Sequence, residues 1–294
     1  MKKHRPLLIF LPFIILLCLC SCSAELPPFS DSSSPDTLPP SPYDGEITFE
    51  GRRYSYRGDP DDILADTDRL VIKKSGSYLL SGELSEGRIS IECQGNVRLC
   101  LGGVSLNSTL GAVIEQRGSG ELTVETLSDS INYLTAPAYD GGGVLPSGAV
   151  CARGDLRFIG DGSLIVNSKC NGVTVGGSIY VDSGALTLNA GECGIWARDT
   201  IKLSGGILTL TYAKTGLYAY GGDFSQGLVD ISGGSFVALC EDTAIFAGRR
   251  ISITGGKGDI RAKTLYKCQR DVDGKPEKGQ INITAEGFPK LQNS

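Results

Sequence analysis

The sequence predicts an all-β fold: a parallel β-helix with coils of about 22 residues, each holding three short strands. Three observations predict it. Glycine is in excess, at 40 of 294 residues, where an average composition near 7% gives roughly 21. Apolar and polar residues alternate over short runs, the period of a strand with one buried face. The same short patterns also recur at a nearly fixed step in three separate series.

The first series is small-small-apolar: Gly111-Ala112-Val113, Gly148-Ala149-Val150, Asn171-Gly172-Val173, Cys193-Gly194-Ile195, Thr215-Gly216-Leu217 and Thr243-Ala244-Ile245. Its apolar members step by 37, 23, 22, 22 and 28 residues. The second is Leu156/Phe158, Ile179/Val181, Ile201/Leu203, Val229/Ile231 and Ile251/Ile253, stepping by 23, 22, 28 and 22. The third is Leu164/Val166, Leu186/Leu188, Leu208/Leu210 and Phe236/Ala238, stepping by 22, 22 and 28. Gly-rich pairs such as Ser183-Gly184, Gly205-Gly206, Gly233-Gly234 and Gly255-Gly256 part the strands and supply corners with positive φ. A β-sandwich would need antiparallel hairpins and would not keep one step in three series. The longer steps mark insertions, one around Asp223 and one from about Ser128 to Pro146. Ile281/Ile283 suggest a further strand after a 30-residue step.

The chain ahead of these repeats reads as an address and a tether. Lys2, Lys3 and Arg5 precede an apolar run of 13 residues, 7–19, too short for an ordinary membrane span and suited to a secretory signal. Leu19-Cys20-Ser21-Cys22 resembles a bacterial lipobox, so residues 1–22 are expected to end in lipidation of Cys22. A plain cleaved signal is the alternative. Residues 23–45 hold six Pro and six Ser and read as an extended tether. Residues 46–294 are then the β-helix, on the outer side of a membrane. Removing three basic residues with the signal takes the net charge from −5 to −8. No long basic run offsets this, so nucleic acid is not an expected partner.

Composition also narrows the chemistry. The lone histidine, His4, leaves with the signal, which removes Ser-His, Cys-His and His-ligated zinc sites. Seven cysteines remain beyond Cys22: Cys93, Cys100, Cys151, Cys170, Cys193, Cys240 and Cys268. No CxxC occurs among them. An odd number cannot all pair within one chain, and buried free thiols are the favoured reading over a Cys170–Cys193 bridge. Asp199, Asp230 and Asp242 are candidate catalytic carboxylates, but none recurs at one ladder position. A polysaccharide lyase on this fold is therefore the runner-up to a binding protein. A structural or adhesive surface protein is the third class.

The strongest site reading comes from the residue after each apolar member of the first series: Ile114, Cys151, Thr174, Trp196, Tyr218 and Phe246. If Val173, Ile195 and Leu217 point inward, strand alternation points their neighbours outward. Trp196, Tyr218 and Phe246 would then form a column of rings about one strand spacing apart, 4.7–4.9 Å. Such rings suit the CH-rich faces of sugars, and Arg198, Arg249 and Arg153 would supply donors to an acidic polymer. A purely structural ladder of stacked rings is the competing reading.

Several stretches carry a family resemblance. They are VIKKSGSYLLSGELSEGRISI at 71–91, VRLCLGGVSLNSTLGAVI at 97–114, ETLSD at 125–129 and GAVCARGDLRFIGDGSLIVNS at 148–168, with the later ISGG and ITGG corners. The chain resembles the bacterial cell-surface β-helix family of carbohydrate-binding domain proteins over about Leu70 to Ile260. That resemblance implies a right-handed parallel β-helix, lipid-anchored or secreted, with polysaccharides as partners, acidic plant polymers among them, and calcium as a cation. Where the family often writes Asp-Gly-Ile at the corner, this chain has Asn171, Cys193, Thr215 and Thr243, with Glu192 adjacent. The acidic insert expected after Leu217 is reduced to Asp223. Calcium takes six to eight oxygens, usually several of them carboxylates. It is therefore expected to be lost at these corners, and no cofactor is required. Asp129 and Asp140 remain for a separate cation site, with a plain turn role as the favoured alternative.

Overall fold

The computed structural model describes residues 41–137, 145, 147–221, 226–272 and 275–290. Cys22, most of the tether, Asp140 and Asp223 lie outside the described residues. The chain is all-β, with one short 3-10 turn at Pro60–Asp62 and no α-helix among the described residues. Its strands form a long, mostly parallel sheet in which each pairs with its counterpart one repeat later. No helix among the described residues is long and apolar enough to cross a membrane.

Three faces follow from the register, and each corresponds to one series. On the first face, Val150 pairs with Val173, Val173 with Ile195, Ile195 with Leu217 and Leu217 with Ile245. On the second, Leu156 and Phe158 pair with Ile179 and Val181, which continue to Ile201 and Leu203. On the third, Leu164 and Val166 pair with Leu186 and Leu188, then with Leu208 and Leu210. These apolar residues are almost wholly buried and form one continuous core. Adjacent repeats thereby cover one another's apolar side chains.

Two assignments from sequence shift. Val113 does not pair with Val150; Ile114 does, and Glu115 rather than Ile114 precedes Cys151 on the outer column. The strand there is Ile114–Gln116, one residue later than the motif suggests, because Gly111 at φ 137° and Val113 still belong to the approach. The span Ser128 to Pro146 is not wholly an insertion either. Ile131–Ala136 is a strand of the third face, pairing Leu134 with Val166. Its pattern disguised it: Asn132, Leu134 and Ala136 are buried, whereas Ile131 and Tyr133 are exposed.

The ends are covered. Gly45–Gly51 pairs in parallel with Gly76–Leu84 and antiparallel with Arg53–Gly58, burying Phe49, Tyr54 and Tyr56. At the other end Gln280–Ile283 pairs with Arg250–Ile253, which makes Ile281/Ile283 a true continuation of the second series. Thr264–Val272 folds back on Lys275–Lys278, and Phe288 is buried nearby. Such caps block the open strand edges of a repeat array.

The glycine excess is partly explained at one aligned corner. Gly184, Gly206, Gly234 and Gly256 have φ of 76°, 68°, 73° and 83°, a conformation most side chains disfavour. Core packing gives a first prediction. Phe236 is fully buried between Leu208 and the Gly258 rung. Phe236→Ala is expected to lower unfolding free energy by about 3–5 kcal/mol, read from the urea midpoint.

Candidate functional site

Four parallel strands build the outer column on the first face: Cys193–Ala197, the ends of Ile207–Ala219 and Ser235–Ala247, and Thr264–Val272. Their register sets Trp196 beside Tyr218, Tyr218 beside Phe246, and Phe246 beside Lys267. Ile195 and Ala197, Leu217 and Ala219, and Ile245 and Ala247 are each 0% exposed, while the ring between each pair is half-buried. The rings therefore point outward. The small middle member of the motif has a steric cause: a Cβ on Gly194 would lie 2.7 Å from Leu210 Cδ2 and 2.8 Å from the Gly216 carbonyl oxygen.

The geometry of the column defines what it presents. The Tyr218 and Phe246 rings are stacked, with centroids 4.6 Å apart and planes 12° from parallel. Their faces turn toward each other, so solvent meets mainly their edges. Lys267 lies on the far side of Phe246, its Nζ 5.8 Å from the ring centroid, within cation–π range. Phe246 thus has neighbours on both faces. Tyr220 supplies an exposed ring, 6.2 Å from Tyr218 and 11° from parallel. Burial raises the Tyr218 phenol above its ordinary pKa, so it keeps its proton and can donate as well as accept.

Tyr220 and Lys267 escaped the sequence reading. Tyr220 follows inward Ala219 and stands just beyond the strand, where alternation no longer predicts direction. A usable signal was its corner position. Backbone bonds from Arg153 N to Gln116 O, Gly176 N to Ala152 O, Arg198 N to Val175 O and Tyr220 N to Ala197 O align these four residues. Arg153 and Arg198 are exposed in this corner row with Gly176 between them, about 10 Å apart along the backbone. Arg249 is not in the row. It lines a cleft of about 380 Å³ with Arg250, Glu277, Lys278 and Gln280. Arg250 also bonds Asp230 at 3.2 Å.

The rungs before Trp196 are Thr174 and Cys151. Burial pushes the Cys151 thiol up to about 12, and burial with nearby Glu192 does the same to Cys193. Cys240 is pushed to about 11 by burial alone. Cys93, Cys100, Cys151, Cys193, Cys240 and Cys268 carry free thiols. At pH 8 Cys151 and Cys193 therefore stay in the unreactive thiol form. We expect these two and Cys240 to resist a thiol reagent until the chain is unfolded, as followed by peptide mapping of the labelled sites.

The corner residues do not fit a calcium ion. Asn171 is buried with its amide committed: Nδ2 donates to Thr174 Oγ1 at 3.1 Å and Oδ1 accepts from Cys193 N at 3.0 Å. Cys193, Thr215 and Thr243 offer no carboxylate in this row. Among the described residues no group of three or more His, Cys, Asp or Glu side chains is placed to hold a metal. Asp129 is exposed in a turn at φ 59°. The candidate catalytic acids are dispersed. Asp230 lies on the second face beside Lys202 and Ser252, and Asp242 bonds Lys263 at 2.9 Å, which holds its carboxyl below the usual range. Asp199 sits at a corner, its carbonyl accepting from Gly227 and Leu228.

Comparison with known proteins agrees with this architecture. A solved polysaccharide lyase-like protein from C. thermocellum, a gadolinium derivative, superposes with a TM-score of 0.75. The two share 23% identity over 84% of this chain and 100% of that one, a likeness that speaks to the fold. No curated protein matches the sequence. The sequence model of the carbohydrate-binding domain-containing proteins matches residues 66–288. That span covers most of the chain, including every ring and arginine of the outer column and its corner, and the chain belongs to the carbohydrate-binding domain-containing protein family.

Proposed function

We propose that this protein is a right-handed parallel β-helix that binds an extended polysaccharide without cleaving it. Lipid on Cys22 and the 23–45 tether hold it to the outer face of a membrane. The observation that carries the reading is the column of Trp196, Tyr218 and Phe246 on successive rungs, bordered by Arg153, Arg198 and Lys267. The rung spacing is comparable to one sugar unit of an extended chain.

Because Tyr218 and Phe246 stack on one another, the polymer is held along the edges of those two rings rather than over their faces. The exposed ring of Tyr220 is the one able to lie against a sugar CH surface. The indole N–H of Trp196 and the phenols of Tyr218 and Tyr220 add hydrogen bonds. Arg153, Arg198 and Lys267 favour a polymer bearing carboxylates. No metal takes part in this reading.

Affinity electrophoresis of the full chain in gels containing pectic, cellulosic or host-type glycans tests the proposal. Retardation on at least one polymer, strongest for an acidic one and weakened by salt, is expected. Unchanged mobility on all of them overturns it.

One observation favours a second reading, a lyase. Lys202, Asp230, Arg250 and Ser252 line a cleft of about 300 Å³ on the second face. Growth of ultraviolet absorbance from unsaturated oligosaccharides would establish cleavage, and flat absorbance alongside retardation would favour binding alone.

A further inference from the structure

The third face carries an uncharged strip that the polysaccharide reading does not use. From Ile131–Ala136 through the Ser235–Leu239 part of its strand, no outward position bears a charge. Ile131, Tyr133, Ile207 and Leu239 are 43–55% exposed there, and Tyr212, whose hydroxyl donates to Glu241 Oε2 at 3.1 Å, marks the strip's lateral edge. The central row runs Tyr133, Ile165, Thr187, Thr209 and Val237 in register. Exposed apolar surface gathered on one face marks an interaction site more often than scattered residues do.

Charge bounds this strip at both ends, with opposite net sign: two carboxylates at one, and two cations flanking a single carboxylate at the other. The central row continues through Ser105 to Glu83, beside which stands Glu50. At the other end it reaches Asp259, flanked by Lys257 and Arg261. All five of these charged residues are exposed.

We propose that this face docks a second copy of the same chain, its repeat axis running in the opposite direction. A parallel pairing would set Glu50 and Glu83 against themselves. Reversing one copy sets Glu50 and Glu83 over the end where Asp259 stands between Lys257 and Arg261, so the two carboxylates meet a net positive cluster, with Lys257 and Arg261 outweighing Asp259. An uncharged strip is also where two copies of a net acidic chain meet with least repulsion. Eight rungs from Glu83 to Asp259 span about 34 Å, and three alternate outward positions span about 14 Å. That footprint buries roughly 1,000 Å² over both partners, the lower bound for a specific interface. The dimer is therefore weak and reversible, and it leaves the ring column on the first face open.

Sedimentation velocity of the full chain in density-matched detergent, from about 1 to 100 µM, tests this. The protein mass is expected to approach twice that of one chain as concentration rises. Ile207→Lys and, separately, Val237→Lys should keep the mass at one chain, with unchanged thermal midpoints because both sites lie on the outer surface. Glu83→Lys should weaken association, and Lys257→Glu in the same chain should restore it. A single-chain mass at the highest concentration overturns the proposal. So does a dimer unaffected by either lysine. Loss of polysaccharide retardation in Ile207→Lys with unchanged mass would assign the face to glycan and also overturn it. Failure of the polysaccharide reading leaves these outcomes untouched.

Discussion

Trp196→Ala and Tyr220→Ala are each expected to weaken polysaccharide retention about 10- to 30-fold, and Phe246→Ala much less. Trp196 is a large, half-buried, outward amphipathic ring with an N–H donor, and Tyr220 offers an exposed ring. Phe246 has Tyr218 on one face and Lys267 on the other, so its removal mainly loosens its neighbours. A loss of about 10- to 30-fold corresponds to about 1.4–2 kcal/mol, the range of an aromatic anchor at a binding surface. Affinity electrophoresis over a polymer concentration series gives the comparison directly. Equal losses for all three variants would instead mean that the stack acts as one structural unit.

Asn132→Leu is expected to destabilise the fold by about 3–5 kcal/mol, visible as a melting point lower by roughly 10 °C. Asn132 is 0% exposed, and every polar atom of its amide is in use. Its Oδ1 accepts from Gly103 N and Val104 N, both at 2.9 Å, and its Nδ2 donates to Ser130 Oγ and the Ser163 carbonyl, both at 3.0 Å. Leucine matches the volume but leaves two buried backbone amides without an acceptor. Calorimetry of the two proteins checks the size of the shift. A melting point within a degree or two of wild type would show that the bulge at Gly103 closes by itself.

Asn132 also marks where reading by pattern fails. Hydrophobic alternation identifies which side of a strand is buried only when the inward residues are apolar. In Ile131–Ala136 an asparagine faces the core because the bulge at Gly103–Val104 in strand Val97–Asn107 needs an acceptor, and an isoleucine and a tyrosine face out. The strand was therefore hidden inside an apparent insertion. The Val113/Ile114 slip has a related cause: two adjacent apolar residues, both buried, leave the phase of the alternation open. In Cys193-Gly194-Ile195 the sequence left the reversed parity, with Trp196 inside, as an alternative, and the burial of Ile195 and Ala197 decides for the outward ring.

By itself, the sequence determined the repeat, the three series and, once Ile195, Leu217 and Ile245 are taken as inward, the outward direction of Trp196, Tyr218 and Phe246. Period and parity are local properties, and parallel in-register pairing repeats them from rung to rung. The tertiary structure decided how those rings meet. The stacking of Tyr218 on Phe246 at 4.6 Å, the lysine over Phe246 and the approach of Tyr220 depend on rotamers and corner geometry that no spacing encodes. It likewise separated Arg249 from Arg153 and Arg198, because one residue of offset at a corner directs a side chain onto another face. Only the folded chain, finally, brings Glu83 and Asp259 to opposite ends of one uncharged strip, since residues far apart in sequence become successive rungs of the same row.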